Sequence, residues 1–293
     1  MVREEASAVL RLKFSPGQIQ RLRELCSDRE LIEIISSREF ESIDEREREF
    51  NRLIKDLTRR NIESLKNYLN AKRKPAIRVV EEKLRSAALA MGFSEVVTPI
   101  IITKDFIKKM GIREESNLWK QIFWLGNKLC LRPMLAPGLY AVMSKLKTLQ
   151  KPLRLFEVGP CFRRDTGGPL HLEEFTMFNL VELAPNKDPE ERLLEVIEVL
   201  MEAVKVKDYE VTRESSEVYG ETLDVKVGGV EVASAAIGPK PMDVHWGIDE
   251  PWVGVGFGVE RLAMVIKGCY SIARVSRSLT YLDGARIDVL QQG

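Results

Sequence analysis

Two arginines carry the most specific chemistry in the chain. Arg163 closes a strand-like run, LRLFEVGPCF (residues 153–162), just before a cluster of turn formers that includes Gly167-Gly168-Pro169. Arg261 falls in the first turn of a helical pattern that begins near Val259. A guanidinium stays charged at any working pH and grips phosphate oxygens in a bidentate fork. The first turn of a helix adds backbone N–H groups that attract anions. Arg163 therefore suits an α-phosphate that gains charge during substitution, while its neighbour Arg164 reads as a surface residue. An ordinary surface role is the competing reading for both, and position alone lifts Arg163 above it.

After the turn formers a second strand follows, and period-two alternation sends Phe175, Met177, Asn179, Val181 and Leu183 to one face. An apolar face with one ring and one amide is what a pocket wall requires: contact area and a single orienting polar group. A plain sheet core with Asn179 satisfied locally is the other reading. Ahead of Arg261, Gly254, Gly256 and Gly258 thin a strand, which often marks close approach by a ligand or another backbone. Upstream of these, Glu231 and Ser234 offer hard oxygen ligands of the kind Mg²⁺ takes beside phosphates. They are three positions apart, so a regular strand would point them to opposite faces. Joint metal binding needs a bulge or a bridging water.

The elements that must hold these residues divide at Pro75. Residues 1–74 read as helical and highly charged. Ser42 with Glu45 has capping-box spacing, and Phe50, Leu53, Ile54, Leu57, Ile62, Leu65 and Leu69 recur at helical intervals. The basic run Lys72-Arg73-Lys74 precedes Pro75 as a linker or a solvated helix end. Residues 75–293 form the second region. Its first helix buries Ile77, Val80, Leu84, Ala87, Ala88 and Met91 and stops at Gly92. Residues 96–102, VVTPIII, then make an edge strand or a strand broken at Pro99. An exposed apolar edge invites pairing with a second copy, so a homodimer through this helix and strand is expected. From Leu131 to Phe257 strands dominate, with one helix near Pro189 to Val206. The expected fold class is α+β, an antiparallel sheet flanked by helices. Neither a P-loop nor an early G-x-G-x-x-G is present, which disfavours the parallel nucleotide-binding folds.

Composition narrows the class further. The chain has 293 residues, 44% hydrophobic and 30% charged, as soluble globular proteins do. Its apolar runs are too short to span a bilayer, and its first ten residues lack the apolar stretch of a secretion signal; a cytoplasmic protein is expected. Four scattered cysteines and two histidines, His171 and His245, make no zinc spacing and read as reduced thiols and surface or loop imidazoles. A net charge of +1 neither requires nor forbids a polyanionic partner.

The ordered set of helix and proline-bearing strand (Ile77–Ile102), arginine hairpin (Leu153–Leu183) and GFGVER (Gly256–Arg261) resembles the three signature motifs of class II aminoacyl-tRNA synthetases. Within that class, LCLRPMLAPGLY, FEVGPCFRR, HLEEFTMFNL, VYGETLDV, WGIDEPWVGVGFGVERL and the step Lys120-Gln121-Ile122-Phe123 resemble the pyrrolysyl-tRNA synthetase family, in its form without a separate N-terminal tRNA-binding domain. The resemblance implies ATP and Mg²⁺. Arg163 would sit on the α-phosphate, Arg261 on the γ-phosphate of a bent ATP, and Phe175 would stack on adenine. Glu231 and Ser234 would serve the magnesium, and Asp165 stands where the family has a glutamate near adenine. It also implies an amino-acid pocket of Leu139, Tyr140, Met143, Met177, Asn179, Val181, Tyr219, Ala236 and Trp252. Val181 replaces a cysteine usual in the family, and Ala236 replaces a valine.

That pocket set contains no carboxylate for an ammonium and no cation for an acid, which argues against free lysine. One amide and phenol hydroxyls among bulky apolar groups fit a large side chain with one amide carbonyl, as pyrrolysine has. The expected function is ATP-dependent ligation of pyrrolysine to its cognate tRNA(Pyl) through an aminoacyl-adenylate. The rivals are another class II synthetase, such as a phenylalanine-type enzyme, and an inactive synthetase-like tRNA-binding paralogue. Arg59, Arg60, Lys66, Lys72, Arg73 and Lys74 form the most basic segment near the site and are the candidate tRNA contact, in the helical region 1–74.

Overall fold

Helix-start signals in the first quarter of the chain are obeyed by the backbone. The computed structural model describes residues 11–164 and 167–291. Ser15 caps α1 (Pro16–Leu25), Asp28 caps α2 (Arg29–Ser36) and Ser42 caps α3 (Ile43–Asn70), each accepting from an N–H of the first turn. Ser42 makes only half of the expected capping box. Its Oγ accepts from Glu45 N at 3.1 Å, but Glu45 Oε2 returns to Glu41 N at 2.9 Å, one residue earlier. The apolar stripe makes one uninterrupted helix of 28 residues whose buried face is Leu53, Leu57, Asn61 and Leu65; Leu69 lies beyond it, exposed.

Among the described residues, those from 11 to 75 form one compact unit together with those from 267 to 291. The last part of the chain adds Ala285 and Val289 to a core of Leu22, Leu25, Ile35, Phe40 and Leu57. Polar side chains fasten this segment to the helices. Buried Asn61 donates to the carbonyls of Leu25 (2.6 Å) and Leu57 (2.8 Å) and accepts from Arg286 N (2.7 Å). Arg274, 1% exposed, donates to the carbonyls of Gly284 (2.8 Å), Glu24 (2.9 Å) and Arg23 and lies over the rings of Tyr270 and Tyr281.

Residues 76–266 form the second unit. Helix α4 (Ala76–Ala90) buries Ile77, Val80, Leu84 and Ala88, and Gly92 at φ +81° ends it, a backbone setting L side chains rarely adopt. Pro99 splits the following apolar run. Before it, β1 (Ser94–Glu95) forms the edge of the main sheet; after it, β2 (Ile101–Thr103) forms the edge of a small one. Short helices α5 (Lys104–Lys109) and α6 (Asn117–Lys120) lead to β3 (Trp124–Leu125) and β4 (Leu129–Leu131), which complete the small sheet in the order β2-β4-β3.

Next comes α7 (Ala136–Leu146), a helix not expected from the sequence. Its Pro137-Gly138 pair reads as a breaker, yet proline fits the first turn, where its missing N–H has no partner to lose. Gly138 lies against Thr98, where an added Cβ would come 2.1 Å from the hydroxyl.

The main sheet continues with β5 (Leu153–Phe162), β6 (Glu174–Leu183), β7 (Glu210–Ser216), β8 (Gly220–Val227), β9 (Val230–Gly238) and β10 (Trp252–Gly258). It is ordered β1-β5-β6-β10-β9-β8-β7, and every pair but β1·β5 is antiparallel. Helices α8 (Pro189–Ala203) and α9 (Val259–Ile266) pack on it with α4. The fold class is α+β, as expected. Phe156, Phe178 and Phe257 fill one face of the sheet, their rings in succession at 5.6 and 6.1 Å. The opposite face joins Leu155, Val181, Leu183 and Ala236 to Leu139, Tyr140 and Met143 of α7. Among the described residues, no helix is long and apolar enough to cross a membrane.

Candidate active site

The hairpin β5–β6 is in register from Leu153↔Leu183 to Phe162↔Glu174, and directly opposed residues share a face. On the side of α7, Phe175, Met177 and Asn179 are half-buried, while Thr176, Phe178 and Leu180 on the reverse are buried completely. The half-buried alternation marks an open cleft rather than a sealed core. Three glycines lie beside it. Gly254 stands between Val181 and Ala236, Gly256 between Asn179 and Ser234, and Gly258 opposite Met177. All three share the cleft face, so a lane without side chains runs along β10 between two rows of functional groups. A Cβ on Gly256 would meet Asn179 Oδ1 at 2.8 Å and Met177 Cε at 3.3 Å. The glycine gives the amide its space.

At the far end of the hairpin, Arg163 has the same parity as this face, and its guanidinium lies 5.4 Å from the centre of the Phe175 ring. Its Nε donates to Pro133 O at 2.8 Å and its backbone N–H to Glu173 O at 2.9 Å. Burial lowers its pKa, and the nearby cation of Arg261 lowers it further, partly offset by Glu231. Two half-buried guanidiniums thus face one another's charge in the cleft, a setting an anion would relieve. Arg261 donates from Nη1 to Glu231 O (3.1 Å) and Oε1 (3.2 Å), and from Nε to Leu170 O at 3.4 Å. Arg164 points away, exposed and over the Phe123 ring, a surface residue as expected. Asp165 and Thr166 lie outside the described residues.

The spacing conflict between Glu231 and Ser234 is resolved by a bulge. Val225 pairs with Ala233 and Lys226 with Glu231, which leaves Val232 as an extra residue. The insertion brings Glu231 and Ser234 to one side, both solvent-accessible between buried neighbours. Ser234 Oγ donates to Asp224 Oδ1 at 2.6 Å, an acidic neighbour that sequence spacing alone did not point to. Asp224 sits opposite Ser234 in the strand register, so its place follows only from the pairing of β8 with β9.

The pocket residues expected from the resemblance are brought together. Leu139, Tyr140, Met143, Met177, Val181, Tyr219, Ala236 and Trp252 belong to one cluster. Asn179 lies between Met177 and Val181 on their face of β6. Trp252 is its hub: the Tyr140 and Tyr219 rings stand edge-on to it at 5.8 and 6.1 Å. Tyr219 projects from the β7–β8 turn, and burial pushes its hydroxyl pKa up, with Asp243 adding to the shift. The expectation of a pocket without a carboxylate needs correction. Asp243, 1% exposed, accepts from Trp252 Nε1 at 2.6 Å and from Lys240 N at 2.7 Å. Its position follows from the tertiary fold, nine residues before the tryptophan in sequence.

Other buried polar residues escaped the sequence reading. Arg132 donates to Glu157 (2.6 Å), Thr98 O (3.1 Å) and Pro160 O (2.8 Å), with Gly159 leaving room for it, and so fixes the segment whose next carbonyl, Pro133 O, holds Arg163. Glu260 receives the Thr176 N–H at 2.8 Å and ties α9 to β6. An arginine beside a proline and a glutamate in a GVER run were the available signals, but each has many ordinary explanations.

Among the described residues the cleft face carries no histidine and no reactive thiol. His171 and His245 are exposed, as expected. Burial raises the thiol of Cys161 to about 12 and that of Cys130 to about 11, far from thiolate chemistry. What the site has is charge and shape.

Comparison with known proteins agrees with that character. The family model of the class II core domain (F) of tRNA synthetases matches residues 59–283. The crystal structure of pyrrolysyl-tRNA synthetase from Desulfitobacterium hafniense superposes with a TM-score of 0.86 at 42% identity, covering 94% of this chain and 98% of that one. A histidine–tRNA ligase of Methanocaldococcus jannaschii is 35% identical over 116 residues, 38% of this chain and 27% of its own length. An ATP phosphoribosyltransferase regulatory subunit of Thermoanaerobacter pseudethanolicus is 29% identical over 137 residues, 46% of this chain and 35% of its own length. The chain thus spans only about a quarter to a third of these two curated relatives. It belongs to the class II tRNA synthetase core-domain family.

Proposed function

We propose that this chain ligates pyrrolysine to its cognate tRNA(Pyl) through an aminoacyl-adenylate, using ATP with Mg²⁺. The observation that carries the reading is the near-complete structural similarity at 42% identity to a pyrrolysyl-tRNA synthetase, joined to a cleft whose wall bears one amide among apolar groups. In the first step a substrate carboxylate oxygen attacks the α-phosphorus, the bond to the bridging oxygen breaks, and pyrophosphate leaves. A carboxylate is already a competent nucleophile, so positioning and charge stabilisation suffice. This fits a cleft with no histidine or thiolate. Arg163 receives the α-phosphate and Phe175 offers its ring to adenine. Arg261 moves from Glu231 onto the γ-phosphate, a competition between an exposed carboxylate and a more highly charged ligand. In the second step the terminal ribose hydroxyl of tRNA attacks the acyl carbon and AMP leaves.

Glu231 and Ser234, with Asp224 behind, supply hard oxygens on one side of the bulged strand. So few protein oxygens leave most of the ion's coordination to phosphates and water, as magnesium beside a nucleotide takes it. Bound there, magnesium would neutralise phosphate charge. Asn179 donates to the amide carbonyl of the amino-acid side chain, and Tyr219, on its turn, closes over the ring. Exposed Val97, Ile100 and Ile101 support a homodimer through the α4–β2 segment. The exposed Arg59, Arg60, Lys66, Lys72, Arg73 and Lys74 are the proposed tRNA contact, and the protein is assigned to the cytoplasm.

Similarity to an ATP phosphoribosyltransferase regulatory subunit favours one second reading, a chain of this fold that regulates rather than ligates. Aminoacylation of tRNA(Pyl) with pyrrolysine against the twenty standard amino acids separates the two. Charging with pyrrolysine alone supports the proposal. Charging with a standard amino acid, or no charging at all, rejects it.

A further inference from the structure

At the closed end of the amino-acid pocket, Trp252 is held in an unusual way. It is the first residue of β10 and pairs directly with Gly238 on β9. Its indole lies flat over that neighbour: a Cβ on Gly238 would fall 1.8 Å from Nε1 and 2.1 Å from Cε2. The other edge reaches Gly254, where a Cβ would lie 3.3 Å from Cζ3. Two glycines leave the face of the ring against the sheet without side chains, while Tyr140 and Tyr219 pack on it edge-on. The hydrogen bond from its Nε1 to Asp243 Oδ2, at 2.6 Å, adds a directional constraint that apolar packing lacks.

Asp243 is itself immobilised. It sits in the 3₁₀ turn Pro241–Trp246 and caps that turn through Lys240 N. Its second oxygen, Oδ1, and Trp246 Nε1 are buried without a hydrogen-bond partner. The Tyr140 hydroxyl lies within reach of this carboxylate, its pKa raised by burial and then by Tyr219 and Asp243. The Tyr140 ring lies 5.6 Å from Trp246 and 5.8 Å from Trp252. Residues three apart in a 3₁₀ turn eclipse one another, so Asp243 and Trp246 occupy one side of it. A buried carboxylate tied to the indole by a charge-assisted bond, with spare polar capacity beside Tyr140, is costly to keep for packing alone.

We propose that Asp243 is a specificity-determining positioning residue, which locks the Trp252 indole at the end of the amino-acid pocket and so sets the length of side chain the pocket accepts. The inference rests on the reading of this cleft as the amino-acid pocket. Tyr140 and Tyr219 both lean on the same indole, so a freed Trp252 would loosen the whole distal wall. Asp243 would touch neither the reacting carboxylate nor ATP, and its effect is confined to recognition.

The test is amino-acid-dependent ATP–pyrophosphate exchange with pyrrolysine and with a lysine carrying only a short acyl cap. D243A should lower the preference for pyrrolysine over the short analogue by about tenfold or more, because the indole loses its buried charged partner. The change should appear in KM for pyrrolysine, with KM for ATP held within about twofold, which a general loss of structure would not give. D243N, which keeps an oxygen for the indole, should retain most of the preference. Should D243A fail to fold, D243L, which keeps the branched shape of aspartate but has no acceptor for the indole N–H, must reproduce the lost preference. An unchanged preference in D243A or D243L, or KM values for ATP and pyrrolysine that rise together, overturns the proposal. A wild-type chain with no exchange on either amino acid overturns the functional reading and this inference with it, whereas active wild type with unaltered variants overturns the inference alone.

Discussion

Arg274 in the helical unit and Arg163 in the sheet unit are both largely withdrawn from water, yet they are engaged in opposite ways. Arg274 spends both its terminal nitrogens on backbone carbonyls and is flanked by two tyrosine rings. Arg163 makes one guanidinium bond among the described residues, through Nε to Pro133 O, and has a second arginine for a neighbour. The first arrangement leaves only Nε without a partner and has no like-charged neighbour among its ring and carbonyl contacts. The second brings two positive charges together in a half-buried cleft and leaves both terminal nitrogens of Arg163 unspent among the described residues. Burial alone does not distinguish a structural arginine from a functional one; the unspent terminal nitrogens at the fork and the like-charged neighbour do.

The sharpest way to break this contrast is to remove each guanidinium and ask which property fails. R163A should reduce ATP–pyrophosphate exchange by about a hundredfold to a thousandfold or more, with thermal unfolding unchanged, because a donor aimed at developing charge acts on the barrier. Near-normal exchange would end the proposed role of the hairpin. R274A should do the reverse, costing about 3 kcal/mol of stability in urea unfolding by orphaning buried carbonyls, while the folded protein keeps its KM for ATP. Unaltered urea unfolding would show that the carbonyl cluster finds water instead.

Between these extremes lie the orienting groups of the cleft. N179A should raise KM for the amino acid about tenfold and leave KM for ATP alone, the signature of one lost hydrogen bond in a pocket otherwise intact. Equal effects on both substrates would place Asn179 in the scaffold. E231Q should increase the magnesium concentration needed for half-maximal exchange by roughly severalfold, since one carboxylate ligand is lost from a site that leans on phosphates. An unshifted magnesium requirement would remove Glu231 from the metal.

The smallest effect concerns pH and the helical unit. Hydrogen bonds from Arg286 hold Asp288 below the usual carboxylate range, and hydrogen bonds from Arg52 do the same for Glu49. A depressed carboxylate pKa contributes stability that is present above the unfolded value and lost as pH falls through the folded one. In the sheet unit Glu114, Glu195 and Glu214 are depressed too, by lysine partners, but they are more exposed and contribute less. Acidification through and below the ordinary carboxylate range should therefore weaken the helical unit first, and only modestly. Amide exchange compared between neutral and acid pH would register faster opening of α3 and the C-terminal segment; exchange that quickens in the sheet first would reverse the order.

Much of the site was legible because strand periodicity is local. Alternation along residues 175–183 separated the cleft face from the core, and the three glycines of β10 marked a lane where side chains are excluded. Long-range features leave no such local trace. The bulge at Val232 could be required but not located, because it depends on how β8 pairs with β9. Helix α7 was missed because Pro137-Gly138 is a breaker in most contexts and a helix start in this one. Asp224 and Asp243 went unassigned because an isolated aspartate carries no spacing signal.

The chain by itself determined which residue types were available and which face of each element they take: two arginines at element ends, an amide in an apolar stripe, hard oxygens near a glycine pair. Those follow from the helical and strand periods, which act over a few residues. Tertiary structure decided which of them meet. Sheet order brought β10 between β6 and β9, so that Asn179, Gly256 and Ser234 stand in one row although 77 positions separate the first two. It also carried Asp243 to the Trp252 indole and set Arg163 near Arg261, pairings fixed by long-range packing, which no local period encodes.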